Sequence, residues 1–385
     1  MRRKLAVLGG APEFAEPVAL VRPTLPAGEA VLDRAAGMFA SGQITNAEQV
    51  RSFEAELAGY LGVEHVVVVG TCTTGLMLVL RCLGLTGDVV VPSFTFMASG
   101  HAVLWNGLGV RFADSDHRTC TIDPASAAAV VHGSSAVLAT HTFGAPCDVE
   151  ALERFGVPVV FDAAHALGSR YPDGTMVGTK GVAEVFSLSP TKPLSAGEGG
   201  VIATGDADLA RELRVARDYG NPGDYNARFV GLNGRLPELS AALGRTALEA
   251  FPYWTERRRD LVKRYLAALE DVPGIGFQEL PDGAVSVYKD FAIRIDAEYG
   301  LSRDAVARVL AAENVATRPY FDPPLHRQDA YRGIATATSL ASTERLSRSM
   351  LTLPLYSHMD PDTVDRIGEL LQRIHADGDE VASAT

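Results

Sequence analysis

Residues 161–168 read FDAAHALG and follow VPVV at 157–160. The apolar run from Val157 to Phe161 has the length and the β-branched character expected of a buried strand. The run ends on Asp162, and a buried carboxylate has to be paired or neutralised. The segment therefore predicts a strand of an α/β sheet that carries a functional carboxylate at its carboxyl end.

A second segment supplies a partner for this carboxylate. Residues 186–192 read FSLSPTK and residues 197–200 read GEGG, so that proline and glycine fix a loop around Lys192. A lysine fixed in a crowded pocket can lose its proton and attack an aldehyde. A carboxylate beside a pyridinium nitrogen keeps that nitrogen protonated. Asp162 and Lys192 thus predict a pyridoxal phosphate (PLP) site, with PLP bound covalently to Lys192 as an internal aldimine.

These motifs, in this order and spacing, resemble the signature of PLP-dependent sugar aminotransferases of the DegT/StrS type, in the aspartate aminotransferase superfamily (PLP fold type I). The resemblance extends from Ser41-Gly42 to Pro354-Leu355. It implies an α/β fold with a large PLP-binding domain, built on a mixed and mostly parallel sheet flanked by helices, and a smaller α+β domain at the C-terminus. We expect the N-terminal segment and the large domain in residues 1–254 and the small domain in residues 255–385.

A phosphate cup is predicted at residues 69–76, which read VGTCTTGL and pass from a predicted strand into a predicted helix. Backbone N–H groups at a helix start, together with hydroxyl donors, bind a phosphate monoester. An ordinary N-capped helix is the alternative. By resemblance, Cys72, Thr73 and Thr74 lie in the phosphate-binding segment of the family, with cysteine at a position where the family has glycine.

Four further residues match family positions around the cofactor. By resemblance, Ser187 reaches the phosphate, Phe96 lies against the cofactor ring, and His165 lies near the phenolic oxygen. Asn233 belongs to a Gly-x-Asn-x-Arg segment whose asparagine reaches the phosphate of the neighbouring subunit. The resemblance therefore implies a homodimer in which each active site is completed by the neighbouring subunit. Each residue has a structural alternative, as part of the core or of a turn.

The predicted substrate end lies at residues 317–326, which read TRPYFDPPLH and resemble the small-domain segment next to the sugar. Arg318 is suited to a carboxylate or a phosphate, and Tyr320 and His326 are suited to hydroxyl groups. A solvated loop is the alternative. Asp218 stands where many relatives have asparagine, and we predict no role for it.

Strand and helix patterns alternate from residue 65 onward, which indicates a parallel or mixed sheet with helices on both faces. Ligands of such sheets collect at the carboxyl ends of the strands. The predicted strands are 66–69, 89–91, 110–113, 136–139, 157–161 and 285–295. The predicted helices are 48–60, 73–83, 96–105, 149–155, 206–217, 303–313 and 361–376, with a longer helix from about 237 to 269 that is broken near Pro252.

Composition narrows the function classes. The 385 residues are 47% hydrophobic and 21% charged, which suits two globular domains. A net charge of −12 argues against nucleic acid as a partner. The four cysteines form neither a disulfide framework nor a zinc pattern, so no metal is expected. Since no apolar stretch approaches a membrane span and no convincing signal peptide is present, we expect no membrane partner and a cytoplasmic location.

We therefore expect a PLP-dependent aminotransferase that moves an amino group from L-glutamate or glutamine to a keto-sugar. A nucleotide-linked keto-deoxysugar of amino-sugar or natural-product biosynthesis is the favoured acceptor. Lys192, as a tethered amine, would also move the proton between substrate and cofactor carbons. The alternatives are a cyclitol or other natural-product ketone as acceptor, a different reaction at the external aldimine, and a non-catalytic binding or regulatory homologue.

Overall fold

The computed structural model describes residues 3–384, in which the strands form two sheets. The strands are β1 (His65–Val69), β2 (Asp88–Pro92), β3 (Gly109–Ala113), β4 (Ser134–Thr140), β5 (Val159–Asp162), β6 (Ala183–Ser187), β7 (Gly200–Thr204), β8 (Ile275–Phe277), β9 (Phe291–Ile295) and β10 (Met350–Leu353). The larger sheet has the order β1-β7-β6-β5-β4-β2-β3. Strand β7 is antiparallel to both of its neighbours, and the other strand pairs are parallel. The predicted mixed, mostly parallel sheet is confirmed.

Helices cover both faces of the larger sheet, and others pack in the small domain. The helices are α1 (Gly28–Ser41), α2 (Glu48–Leu61), α3 (Cys72–Cys82), α4 (Met97–Trp105), α5 (Pro124–Val130), α6 (Val149–Glu153), α7 (Ala207–Ala216), α8 (Glu238–Glu249), α9 (Phe251–Leu269), α10 (Arg303–Ala312), α11 (Ala341–Ser349), α12 (Pro361–Ala376) and α13 (Gly378–Ala384). Side chains alternate between the faces of a strand, so Val90 of β2 packs in the core with α2 and α8. Val89 and Val91 pack in the core with α3, α4 and α7.

The small domain is built on the three-stranded antiparallel sheet β10-β9-β8. Its core contains residues of α9, α10 and α12 and also Leu5, Phe14 and Val18. The predicted boundary at residue 254 falls inside α9. Because the N-terminal residues pack in the small-domain core, we propose that residues 5–18 belong structurally to the small domain.

The predicted break near Pro252 is confirmed, since α8 ends at Glu249 and α9 begins at Phe251 with Pro252 in its first turn. Proline is well tolerated there because the first N–H groups of a helix have no partner within the helix. Within residues 3–384, no helix combines the length and the apolar character needed to cross a bilayer.

The predicted strand 285–295 is wrong in its first half, because β9 begins only at Phe291. Residues 287–289 instead offer their carbonyl groups to the buried guanidinium of Arg258. Tyr288 has a φ of 48°, which lies in the left-handed region and is incompatible with an extended strand. An apolar run therefore ends in a fixed turn before β9.

Candidate active site

A cavity of about 370 Å³ lies at the carboxyl ends of three neighbouring strands, whose last residues are Thr140, Asp162 and Ser187. This is where open α/β sheets bind ligands, and the volume is in the range of small-molecule sites. Segments of the small domain form part of its wall. The residues predicted from the sequence that line it are Cys72, Thr73, Phe96, Asp162, His165, Ser187, Lys192, Arg318 and Tyr320.

Asp162 is buried at the end of β5, where Ser99 and Ala164 donate hydrogen bonds to its carboxylate and the thiol of Cys72 lies 4.0 Å from Oδ1. Ser99 donates a 2.6 Å hydrogen bond to Oδ2, and the backbone N–H of Ala164 donates to Oδ1 at 3.1 Å. Burial raises the pKa of Asp162, while these hydrogen bonds and the charge of Lys192 oppose that rise. The carboxylate is thus oriented by neutral donors and is suited to a cationic ligand that would offset its loss of hydration.

Lys192 reaches the cavity from the loop between β6 and β7. Its backbone N–H donates to the carbonyl of Ser189, and Gly197 adopts a φ of 81° that favours glycine. Burial, together with the positive charge of Lys289, lowers the pKa of Lys192 to about 8. A larger fraction of this amine is therefore neutral near physiological pH than of an ordinary lysine.

The start of α3 forms a cup at one end of the cavity. Thr71 caps the helix, because its Oγ1 accepts the backbone N–H of Thr74 at 3.0 Å. A helix leaves its first N–H groups without partners inside the helix, and here these belong to Cys72 and Thr73. A Cβ on Gly200 would lie 2.5 Å from the carbonyl oxygen of Thr71, so β7 approaches the cup too closely for a side chain.

Thr74 was predicted to contact the phosphate, yet it does not line the cavity. Its hydroxyl lies 2.9 Å from that of Thr71, which lines the cavity in its place. Both residues have the same type of side chain, so the sequence alone did not show which of them faces the cavity. Thr71, Thr73 and Ser187 are the hydroxyl residues that line the cavity near the cup.

An aromatic layer forms another wall. His165 is buried, and its Nδ1 accepts the backbone N–H of Phe143 at 3.2 Å, which leaves Nε2 as the protonated nitrogen of the neutral ring. Burial and the charges of Lys192 and Lys289 hold the pKa of His165 well below its ordinary range. Phe96, which precedes α4, is 49% exposed and lines the cavity. An exposed ring at this position is suited to stack on a flat aromatic ligand.

Asn233 lies outside the cavity of its own chain and is exposed. It forms an isolated backbone bridge with Asp218, whose carboxylate makes a salt bridge with Arg235. The guanidinium of Arg235 also lies 5.5 Å from the ring centroid of Tyr219. Asp218, for which the sequence indicated no role, therefore orients the arginine of the Gly-x-Asn-x-Arg segment.

His326 does not line the cavity either. Its Nδ1 lies 2.7 Å from Oγ of Ser93 and its Nε2 lies 2.9 Å from Glu344. Both ring nitrogens are engaged, so the ring has no free polar atom for a substrate hydroxyl. The structure places His326 as a link between the end of β2 and α11.

Several residues of the cavity were missed in the sequence. They are Ser99, which holds Asp162, and the wall residues Thr71, Thr95, Ala98, Thr140, Ala164, Ser189, Thr191, Glu198, Lys289 and Phe321. Serine and threonine carry too little signal for such an assignment. Lys289 carried one, since two adjacent charges at residues 289–290 interrupt an otherwise apolar run.

The donors of the cavity fit PLP. The cup at α3 offers free N–H groups and hydroxyls to a phosphate, and the oriented carboxylate of Asp162 offers a partner to a pyridinium nitrogen. Lys192 offers an amine to an aldehyde, and Phe96 offers an exposed face to the ring. These four functions are distinct and lie on one cavity, as a flat phosphorylated pyridine requires.

Known proteins share this chain's sequence and fold. The model of the DegT/DnrJ/EryC1/StrS aminotransferase family matches residues 27–372. The chain is 34% identical to a dTDP-3-amino-3,4,6-trideoxy-alpha-D-glucose transaminase of Streptomyces venezuelae, over 87% of this chain and 90% of the relative. It is 29% identical to a dTDP-4-amino-4,6-dideoxy-D-glucose transaminase of Escherichia coli, over 83% and 88% respectively. The crystal structure of DesI in the presence of its TDP-sugar product superposes with a TM-score of 0.93 at 37% identity, over 98% of both chains. This likeness confirms the predicted fold class.

The lowered pKa of Lys192 predicts the pH dependence of its reaction with PLP. Only the neutral amine attacks, so the rate at which the PLP-free protein develops a Lys192-dependent absorption band should rise with pH and level off above about pH 8. An ordinary lysine would continue to gain rate up to about pH 10. Stopped-flow absorption measures this rate, with Lys192→Ala as the control that forms no such band. A midpoint near pH 10 would contradict the environment described for Lys192.

Proposed function

This chain belongs to the DegT/DnrJ/EryC1/StrS aminotransferase family, and we propose that it transfers an amino group from L-glutamate or glutamine to a nucleotide-linked keto-deoxysugar. It is a PLP-dependent aminotransferase; its residue roles, donor and acceptor are what we propose. The observation that carries the proposal is the convergence of Asp162, Lys192 and the free N-terminus of α3 on one cavity.

The cofactor-facing residues of the cavity have distinct proposed tasks. PLP, when bound, supplies an aldehyde that captures amines and a protonated ring that withdraws electrons from the carbon where the proton is lost. Asp162 holds the proton on the ring nitrogen, and Ser99 keeps the carboxylate pointed toward it. The first N–H groups of α3 and the hydroxyl of Ser187 bind the phosphate. Phe96 lies against the ring face, and the N–H of His165 donates to the phenolic oxygen.

Lys192 is proposed to anchor the cofactor and then to act as acid and base. Once an amino donor has displaced it, its amine is tethered beside the reacting carbons. With a pKa near 8, it accepts a proton readily at neutral pH and gives the proton back readily. The same residue therefore moves the proton between the carbon of the substrate and that of the cofactor without a second base.

Arg318 and Tyr320 are proposed to face the substrate at the mouth of the cavity. The exposed Arg318 donates through Nη1 to the hydroxyl of Tyr320 at 3.2 Å, and its remaining N–H groups are available to an anion. A guanidinium suits phosphate oxygens, which a nucleotide-linked sugar presents. The two relatives named above act at the 3- and the 4-position of a dTDP-linked sugar, so both positions belong in a test.

We expect amino transfer from L-glutamate only when a nucleotide-linked keto-sugar is supplied. Formation of 2-oxoglutarate, together with mass-spectrometric detection of the aminated sugar, measures this with dTDP-linked 3-keto- and 4-keto-deoxysugars. The matched controls are the same keto-sugars without nucleotide and the Lys192→Ala variant. Turnover of a cyclitol ketone but of neither nucleotide-linked sugar would refute the proposed acceptor class.

We also propose that the enzyme is a homodimer. Helix α1 and the segment that follows it expose apolar side chains to solvent. Leu32 is 60%, Phe39 71% and Ile44 62% exposed. Apolar patches on a folded chain mark interaction surfaces. Asn233 is exposed and outside its own cavity, which suits a residue that acts on the phosphate in the neighbouring subunit. In this arrangement a single chain has an incomplete site.

Mixed dimers test this arrangement. Lys192→Ala and Asn233→Ala should each be nearly inactive alone, but a heterodimer of the two contains one site with both wild-type residues. After the two variants are dissociated and reassociated in equal amounts, we expect about a quarter of wild-type activity, because half of the dimers are mixed and each has one intact site. Each variant treated alone is the control. No recovery, although mixed dimers are shown by differential tags, would contradict the shared site.

A further inference from the structure

Lys289 is a cationic group of the cavity that the proposed cofactor contacts leave unused. Its side chain is only 3% exposed, yet it lines the cavity. Its Nζ lies 2.8 and 2.9 Å from the two carboxylate oxygens of Asp290. A buried ion pair adds little to stability compared with apolar residues of the same size. A buried ion pair beside a ligand cavity therefore indicates a role in ligand binding.

The turn that carries Lys289 is fixed by a third buried charge. Arg258 of α9 donates through Nε and Nη2 to the carbonyls of Val287, Tyr288 and Lys289, at 2.6 to 3.3 Å. These bonds hold the left-handed conformation of Tyr288. Three successive carbonyls hold the backbone of the turn, and the two bonds to Asp290 hold the ammonium of Lys289.

A second cation lies near the same aromatic ring as Lys289. The Nζ of Lys289 and the guanidinium carbon of Arg318 each lie 5.6 Å from the ring centroid of Tyr320. Arg318 is exposed and makes no salt bridge within residues 3–384. Lys289 is buried, and its charge lowers the pKa of both Lys192 and His165, which places it toward the reacting end of the cavity.

We propose that Lys289 and Arg318 form a two-cation subsite that binds the two carboxylates of a dicarboxylate amino donor and of its 2-oxo product. This subsite deepens the proposed function and rests on it. An ammonium has three donors, and with two directed at Asp290 the third remains for a carboxylate. A dicarboxylate presents one carboxylate to each of these two cations of the cavity, and the buried Lys289 accepts a small carboxylate more readily than a bulky nucleotide.

The diphosphate of the acceptor is also an anion that two cations could bind. The test therefore distinguishes the dicarboxylate donor from the nucleoside diphosphate. Holoenzyme is titrated in a calorimeter with glutarate, a dicarboxylate that has neither an amine nor a ketone and so cannot react. Butyrate is the monocarboxylate comparison, and dTDP is the nucleoside diphosphate. The variants are Lys289→Met and the double variant Lys289→Met/Asp290→Asn, which leaves no unpaired buried charge. Lys263→Met is the control, since Lys263 also pairs with a nearby aspartate but is exposed and outside the cavity.

We expect glutarate to bind at least tenfold more weakly to both Lys289 variants than to wild type, as the loss of a hydrogen bond between charged groups implies. The affinities for butyrate and dTDP should change little, and the control should bind glutarate as wild type does. The double variant should keep its melting temperature and its Lys192-dependent band, which shows that the loss is not one of folding.

Three results would overturn the subsite: wild-type affinity of the double variant for glutarate, a loss confined to dTDP, or failure of the double variant to retain PLP. The last result would assign Lys289 to the cofactor instead. Failure of the proposed function is distinguishable, because wild-type protein would then form no 2-oxoglutarate from L-glutamate with a nucleotide-linked keto-sugar, whatever its affinity for glutarate.

Discussion

The burial of a carboxylate at the end of β5 is the constraint around which the site is built. Asp162 loses its hydration in the centre of a seven-stranded sheet, and hydrogen bonds from Ser99 and Ala164 compensate only in part. The parallel register pairs it with Thr140, the last residue of β4, and with Val185 of β6, the strand that leads into the loop of Lys192. In the proposed site a protonated pyridine ring would complete the compensation, so the burial that makes Asp162 costly would also favour binding of the cofactor.

The cavity gathers positively charged groups, although the chain as a whole is negatively charged. The protein carries a net charge of −12, yet Lys192, Lys289 and Arg318 all line one cavity, together with the free N–H groups of α3. Anionic cofactors and substrates are therefore drawn by groups within a few ångströms and not by the long-range field. Burial and the charge of Lys289 lower the pKa of Lys192, so Lys289 contributes both to the attraction of anions and to the activation of the nucleophile.

The parts of the site that could be predicted are those whose functional residue lies within, or directly next to, a recognisable segment of sequence. Strand β5 with Asp162, the loop with Lys192 and the start of α3 each combine a periodicity with an adjacent functional residue. Ser99 was missed, because it acts through a contact with Asp162, which is 63 positions away in the sequence. His326 was placed near the substrate by its segment, but its ring is held by Ser93, which is 233 positions away. Such tertiary hydrogen bonds leave no local pattern to detect.

The most direct test of the central claim is the visible absorption spectrum of the purified protein with PLP, before and after addition of L-glutamate, with Lys192→Ala measured alongside. We predict a band that depends on Lys192 and that glutamate bleaches as the amino group is transferred to the cofactor. The same band in wild type and in Lys192→Ala, or no band in either, would contradict the assignment of Lys192 and with it the site described around Asp162.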